Sequence, residues 1–372
     1  MRRAHAVRIL GVVLGILLLS LAVMPAWANP AEDETMPNAV TPKPAPAAYS
    51  LGQLKHSVQT LNNCGPASVV AVLDYYGFNV SQGEARQVLR PYSDSRGMGW
   101  QVIAPYVAKF GLETKARING NNDVIKQLVA NDIPVIVLQN VSESYRVGHY
   151  RVVQGYNDKA GVFYVDDSLL GPNIAISYDS FDARWEGLSY SWNPYIPIYR
   201  PDQAPLVAAI LGPDYTDVGM YSRVLPDLRA AVNTNPNDRM AWSRLVEALA
   251  GAERWQEALT TLDNMPSMGR GGFGGYGDRS FGGSSNSALR LKLLNKLGRY
   301  QEALDGAETA LARSSGNGFG FGGSGTAALW LQKAEALRGL GQIDDARAAY
   351  QQALKLDKSL VEAADRLASL GN

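Results

Sequence analysis

Three stretches in the second half of this 372-residue chain superpose on a single alanine, and that repetition limits the fold more than any other feature. The stretches Trp242…Leu249…Trp255…Ala258, Leu294…Leu297…Tyr300…Ala303 and Trp330…Leu337…Ala346 align on their alanines, which lie 45 and 43 residues apart. A unit of this kind is a helix pair that cannot bury its apolar face alone, so neighbouring units must stack. The small alanine lets paired helices approach closely while Trp, Leu and Tyr fill the space between them. A fragment from Leu228 to Pro236 reads as the second helix of a preceding, degenerate unit. Glycine-rich inserts interrupt the array, with eight Gly in 267–286 and six in 314–325. Residues 201–372 are therefore expected to be all-α.

Composition then removes several function classes. The chain is 46% hydrophobic, which excludes wholesale disorder, and its 35 basic and 35 acidic residues leave no electrostatic footprint for nucleic acid. One Cys and three His exclude an intrachain disulfide, a four-thiolate zinc site and an iron–sulfur cluster. No cofactor or metal is expected.

At the N-terminus, Arg2, Arg3 and Arg8 precede a 16-residue uncharged run from Ile9 to Met24, and Ala26-Trp27-Ala28 supplies a small-x-small cleavage pattern. Residues 1–28 read as a signal peptide, and an uncleaved segment would make the membrane a partner. Residues 29–49, with five Pro, read as an extended linker. The protein is expected to work after export, in the periplasm or outside the cell. In such a place a lone Cys64 is either a reactive thiol or a buried one without a role.

The neighbours of Cys64 favour reactivity. Apolar residues at helical spacing run from Ala67, Pro66 suits a first turn, and Gly77 suits the C-terminal cap. Cys64 falls at the helix N-terminus, where the dipole favours thiolate, with Asn62 or Asn63 as the cap. Downstream, residues 148–156 and 162–167 read as two strands of a hairpin. A turn centred on residue 158 places His149 opposite Asp167, and a slip of one residue would bring in Asp166 instead. Gln59 can offer its amide as an oxyanion donor. His56 lies in a polar loop entry and reads as a surface residue. Ser81 to Glu84 is a capping box for a short helix to Leu89, and helices are expected over 100–110 and 123–130, with a buried strand over 133–138.

The blocks Gln59…Cys64-Gly65-Pro66-Ala67, Gly148-His149-Tyr150 and Val165-Asp166-Asp167-Ser168 resemble the papain-like bacteriocin-processing cysteine peptidases, the double-glycine leader peptidases. The resemblance covers residues 50–200. It implies an α+β papain-like fold with Cys64 as nucleophile, His149 as general base and acid, Asp167 as orienter and Gln59 as oxyanion donor. Members of that family often carry Asp-Pro after the return strand, whereas Ser168 follows Asp167 here. The alanine-aligned units resemble tetratricopeptide repeats, which implies a protein-binding surface. Paired glycines such as Gly271-Gly272 are of the kind the resembled family cleaves, although glycine- and Phe-rich loops also serve as plain linkers.

The expected architecture is a papain-like cysteine peptidase domain over 50–200 followed by a tetratricopeptide-repeat domain over 201–372. Its substrate would be a peptide or protein, and the repeats would recruit a protein partner. A thiol-dependent amidase or transpeptidase is the alternative chemistry. A catalytically silent peptide-binding scaffold is the alternative class.

Overall fold

The computed structural model describes residues 37, 40–90, 97–145, 147–186, 193–265, 283–316, 323–358 and 360–371. The signal peptide, most of the first glycine-rich insert, half of the second and the start of the linker lie outside the described residues.

Among the described residues seven strands form an antiparallel sheet: β1 (Ala48–Ser50), β2 (Glu113–Thr114), β3 (Val135–Asn140), β4 (Gly148–Asn157), β5 (Val162–Asp167), β6 (Gly171–Ser177) and β7 (Tyr195–Tyr199). Their order is β2-β7-β3-β4-β5-β6, with β1 added against the far half of β4. Helix α1 (Cys64–Tyr75) packs on one face, where Val69, Val72 and Leu73 meet Ile136, Val152 and Ile196. Nine consecutive residues of α1, Gly65 to Leu73, are buried. The helix is apolar all round, as expected of one covered on every side. Gly77 then adopts φ +89° and ends the run.

The other face is covered by α4 (Asn122–Ala130), α5 (Tyr178–Glu186) and α6 (Ala204–Leu211), whose Ile125, Phe181 and Val207 join Val135, Val153 and Val165. Helix α2 (Gln82–Leu89) carries the full capping box between Ser81 and Glu84. The expected helix over 100–110 is instead a 3₁₀ turn (Trp100–Val102), α3 (Ile103–Val107) and a second 3₁₀ turn (Ala108–Phe110). Pro105 has no N–H to give the carbonyl four residues back, so the α-helical hydrogen-bond pattern is interrupted within this stretch.

One irregularity governs the site. Val152 pairs with Asp166 and Val153 with Val165, but the next pair is Gly155 with Tyr164, so Gln154 is an extra residue in β4. Side chains on the two sides of Gln154 alternate out of step.

The described part of the linker is docked rather than free. The Lys43 backbone N–H donates to Asn131 Oδ1 at 2.9 Å, the Tyr156 hydroxyl to the Pro46 carbonyl at 2.7 Å, and β1 adds a strand. Packing does not break near residue 200 either. Val207, Ala208, Leu211 and Tyr215 belong to the same core as the sheet. Arg117 pairs with Asp217 at 2.7 Å, and Met220 packs under Ile118.

From α7 (Asp217–Thr234) onward the described elements are helices: α8 (Arg239–Gly251), α9 (Trp255–Asp263), α10 (Gly283–Lys296), α11 (Tyr300–Gly316), α12 (Gly323–Gly339), α13 (Ile343–Leu356) and α14 (Val361–Ser369). Ala258, Ala303 and Ala346, the three aligned alanines, are each 0% exposed and share one continuous core. At the tight crossings, the place of a Cβ on Gly251 lies 2.1 Å from the Tyr221 ring, and on Gly339 2.4 Å from the Tyr300 ring.

Candidate active site

Cys64 is the first residue of α1 and Asn63 precedes it as N-cap, but the Asn63 side chain does not cap the helix. It is buried and turned away, donating from Nδ2 to Gln82 Oε1 at 2.6 Å and accepting from Arg90 at 3.1 Å. The expected side-chain cap is thus replaced by a clamp from α2. Gln82 Oε1 also accepts the Thr60 backbone N–H, and Arg90 donates to the carbonyls of Leu61 and Asn62. Asn62 takes φ +54°, a conformation Asn tolerates, which turns the chain into the helix. The loop leading to the thiol is therefore held from one side before any substrate arrives.

The structure brings Cys64, His149 and Asp167 together. His149 Nε2 lies 2.8 Å from Asp167 Oδ1, and the His149 ring also hydrogen-bonds the Cys64 thiol. With Nε2 engaged, Nδ1 is the nitrogen left for sulfur. His149 and Asp167 are buried, whereas Cys64 is half-exposed. Burial pushes the thiol pKa up, but the His149 hydrogen bond and charge, with backbone bonds from Tyr150 and Gly65, bring it below the ordinary thiol value. Burial likewise lowers the His149 pKa, and the hydrogen bonds to Asp167 and Cys64 raise it above the ordinary imidazole value. Burial opposes ionisation of Asp167, yet His149 and Arg151 hold its carboxyl well below the usual carboxylate range. The combined effect favours a thiolate–imidazolium pair.

His149 and Asp167 meet, but not as directly opposed residues. Val152 faces Asp166, so the ladder places Arg151 opposite Asp167 and His149 two residues along the same face. Arg151 is the residue that sequence reasoning missed. Its Nε donates to Asp167 Oδ2 at 2.8 Å, and its guanidinium also donates to the carbonyls of Asn140 and Val141. The available signal was a charged residue two positions from His149 in a strand otherwise able to lie buried. Asp167 Oδ1 further accepts the backbone N–H groups of Leu169 and Leu170, at 2.9 and 3.1 Å.

Asp166 points to the opposite face and pairs with His56, whose Nδ1 lies 2.7 Å from its Oδ1. His56 is therefore a partly buried partner, not a surface residue, and it ties the loop before Cys64 to the end of β5. Gln59 lies in that loop, half-buried, with its Oε1 accepting the Ser168 hydroxyl at 2.8 Å and its backbone N–H donating to the Ser168 carbonyl at 3.0 Å. The segments carrying these groups also carry exposed apolar side chains: Val58, Leu61, Tyr145, Val147, Leu169 and Leu170. Among the described residues, no cluster of three or more His, Cys, Asp or Glu could hold a metal ion, and no helix is long and apolar enough to cross a membrane.

Residues 50–192 match the Peptidase_C39 like family, and residues 327–360, α12 and α13, match the tetratricopeptide repeat. Among solved structures, the chain is similar to the peptidase domain of Streptococcus ComA, a bifunctional ABC transporter involved in quorum sensing (22% identity, 40% of this chain and 98% of that one, TM-score 0.32). It is also similar to a double glycine motif protease from an AMS/PCAT transporter in complex with its leader peptide (20% identity, 41% and 94%, TM-score 0.31). MamA from Desulfovibrio magneticus RS-1 matches at 20% identity over 41% of this chain and 75% of that one, with a TM-score of 0.30. No curated protein matches.

Proposed function

From a C39-like peptidase domain joined to tetratricopeptide repeats, we propose an exported cysteine peptidase that hydrolyses peptide bonds through Cys64, His149 and Asp167, with Gln59 as oxyanion donor. The observation that carries this reading is the hydrogen-bonded line from the Cys64 thiol through His149 to the Asp167 carboxylate, with the thiol pKa below its ordinary value. The Cys64 thiolate attacks the scissile carbonyl carbon, forming a C–S bond and an oxyanion that accepts hydrogen bonds from the Gln59 amide and the Cys64 backbone N–H. His149 then gives its Nδ1 proton to the leaving nitrogen as the C–N bond breaks. Water adds to the thioester, its proton passes to His149, and the C–S bond breaks to release a carboxylic acid. Asp167 holds the imidazole in position and stabilises its charged form.

The exposed apolar side chains around the site suit an extended peptide whose side chains bracket the bond to be cut. The repeats hold a protein partner. A cavity of about 530 Å³ between α11, α12 and α13, lined by Leu304, Glu308, Trp330, Lys333, Asp345 and Gln352, is mixed in charge and open to a peptide segment. Export is read from the first 28 residues. Sequencing of the N-terminus of protein recovered outside the cytoplasm tests it, with Asn29 as the expected first residue.

The deciding experiment labels the purified protein with an iodoacetamide probe and follows hydrolysis of an unstructured protein such as casein. Labelling at neutral pH that depends on His149, together with hydrolysis lost in Cys64→Ala, supports the proposal. Hydrolysis that survives Cys64→Ala overturns it.

A further inference from the structure

We propose that Ser168 is a positioning residue that fixes which end of the Gln59 amide faces the reacting carbonyl. The inference rests on the cysteine-peptidase reading above and extends it to a residue outside the Cys–His–Asp line. An oxyanion donor works only if its N–H points at the developing charge, and a Gln side chain rotated by half a turn presents an oxygen that repels it. Something must choose between those two orientations.

Ser168 makes that choice through hydrogen-bond accounting. Its hydroxyl lies 2.8 Å from Gln59 Oε1, and this is its hydrogen bond among the described residues. Ser168 is 2% exposed, so the hydroxyl proton has no recourse to solvent. If the amide rotated, Nε2 would face Oγ and the hydroxyl could accept, but its own proton would be left buried without an acceptor, a costly state. Donation to Oε1 satisfies both groups and commits Nε2, the donor end, away from Ser168.

The clamp has a rigid base. The Gln59 backbone N–H bonds the Ser168 carbonyl at 3.0 Å, so the two residues are joined at main chain and side chain. Ser168 sits in a turn pinned by Asp167, which accepts the N–H groups of Leu169 and Leu170. On the opposite side, Gln82 and Arg90 hold the loop through Thr60, Leu61 and Asn62. The stretch around Gln59 is thus fixed at both ends, and the rotation of its amide is the freedom that the Ser168 hydroxyl removes. Where the resembled family often has Pro after the Asp, a side chain with no donor, this chain supplies the donor itself.

Two reagents separate the clamp from the rest of the site in the full-length protein. Iodoacetamide alkylation reads the thiolate and passes through no oxyanion. Acylation by p-nitrophenyl acetate, followed as the nitrophenolate burst, does pass through one. Ser168→Ala is expected to slow acylation by about tenfold, a fraction of the roughly 10²–10³-fold loss expected for Gln59→Ala. The alkylation rate and its pH profile should stay at wild-type values. In a Gln59→Ala background, Ser168→Ala should cause no further loss.

Wild-type acylation in Ser168→Ala alongside a large loss in Gln59→Ala overturns the clamp and leaves the peptidase reading standing. Alkylation slowed as much as acylation also overturns it, because Ser168 would then act through Asp167 or through folding. Wild-type acylation in Gln59→Ala removes the oxyanion assignment and the clamp together.

Discussion

Arg151 donates from Nε to the Oδ2 of Asp167 at 2.8 Å, leaving Oδ1 to His149, and neither the guanidinium nor the carboxylate is exposed to solvent. One carboxylate thus serves two cations, one of which is permanently charged. That arrangement keeps Asp167 ionised whether or not His149 carries a proton.

Removing Arg151 should therefore destabilise the fold as well as the site. Breaking a buried pair by deleting one partner costs about 3–5 kcal/mol, because the other charge stays buried. Arg151→Met is expected to lower the urea midpoint at neutral pH with an unchanged slope. A midpoint within error of wild type would show that the pair contributes nothing net.

The pH dependence should be bell-shaped, with limbs set by Cys64 and His149. The lowered thiol pKa lets thiolate form below the ~8.5 of a free thiol, so activity rises early on the acid side. The raised imidazole pKa keeps the general acid protonated above ~6.5, and activity falls as pH rises through that folded value. The charged His149 accordingly stabilises the fold most below the unfolded imidazole value, and this contribution is lost as pH rises through the folded one. Asp167→Asn removes the hydrogen bond that raises His149, so the alkaline limb should move to lower pH. A limb that moves upward, or not at all, contradicts the assignment of Asp167.

Replacing the nucleophile and the base should cost similar amounts, because members of one catalytic unit are not additive. Cys64→Ala, His149→Ala and the double variant are each expected to lose at least ~10³-fold in casein hydrolysis. A double variant far slower than either single one would mean the two residues act independently.

The end of the catalytic core is testable by truncation. Four buried residues of the sheet's core, Val207, Ala208, Leu211 and Tyr215, lie beyond residue 200. A chain ending at Arg200 loses apolar burial worth roughly 1.5–3 kcal/mol per large side chain, enough to unfold a marginal domain. A chain ending at Arg223 keeps these residues, Met220 and the Asp214–Arg223 pair. Circular dichroism should find the longer chain folded and the shorter one not. Two equally stable chains would place the boundary where the composition shifts.

In the repeats, Gly251→Ala and Gly339→Ala should be destabilising despite the better helix propensity of Ala. The gain from propensity is at most about 1 kcal/mol, whereas a Cβ 2.1–2.4 Å from the body of a Tyr ring forces the helices apart, at about 1–3 kcal/mol. Thermal unfolding should shift down while the iodoacetamide rate of Cys64 holds. A raised midpoint in either variant would show that the ring moves aside freely.

Much of this site was legible before the structure, for reasons tied to particular residues. A lone Cys64 ahead of Pro66 and an apolar run reads as a helix start, and His149 and Asp167 read as neighbours across a hairpin. Their contact survived an error of two residues in register because two steps along a strand return to the same face. Arg151 was hidden because a charge in a strand ordinarily marks a solvent face, and only the tertiary fold covers both sides of β4. His56 was misread because its partner, Asp166, lies 110 residues away. Strand β7 escaped because Pro197 stands in its middle, a residue that argues against a central strand. Helix α6 carries the Ala- and Leu-rich composition of the repeats but packs with the sheet, a distinction composition cannot draw.

The extra residue at Gln154 makes β4 behave like a reading frame. Between the turn and Gln154 the paired residues sum to 319, as in 156 and 163, and beyond it to 318, as in 152 and 166. With Gln154 paired rather than extra, the first sum would carry on and put His149 and Asp167 on opposite faces of the sheet. Deleting Gln154 would leave Val153 on Val165 and keep the frame, whereas one residue inserted between Val152 and Val153 is a frameshift in space. The insertion touches no catalytic group, yet it should abolish iodoacetamide reactivity as thoroughly as losing His149, and an unaltered rate would show that the strand corrects the slip elsewhere. Between His149 and Val153, changes in length are in frame only by twos.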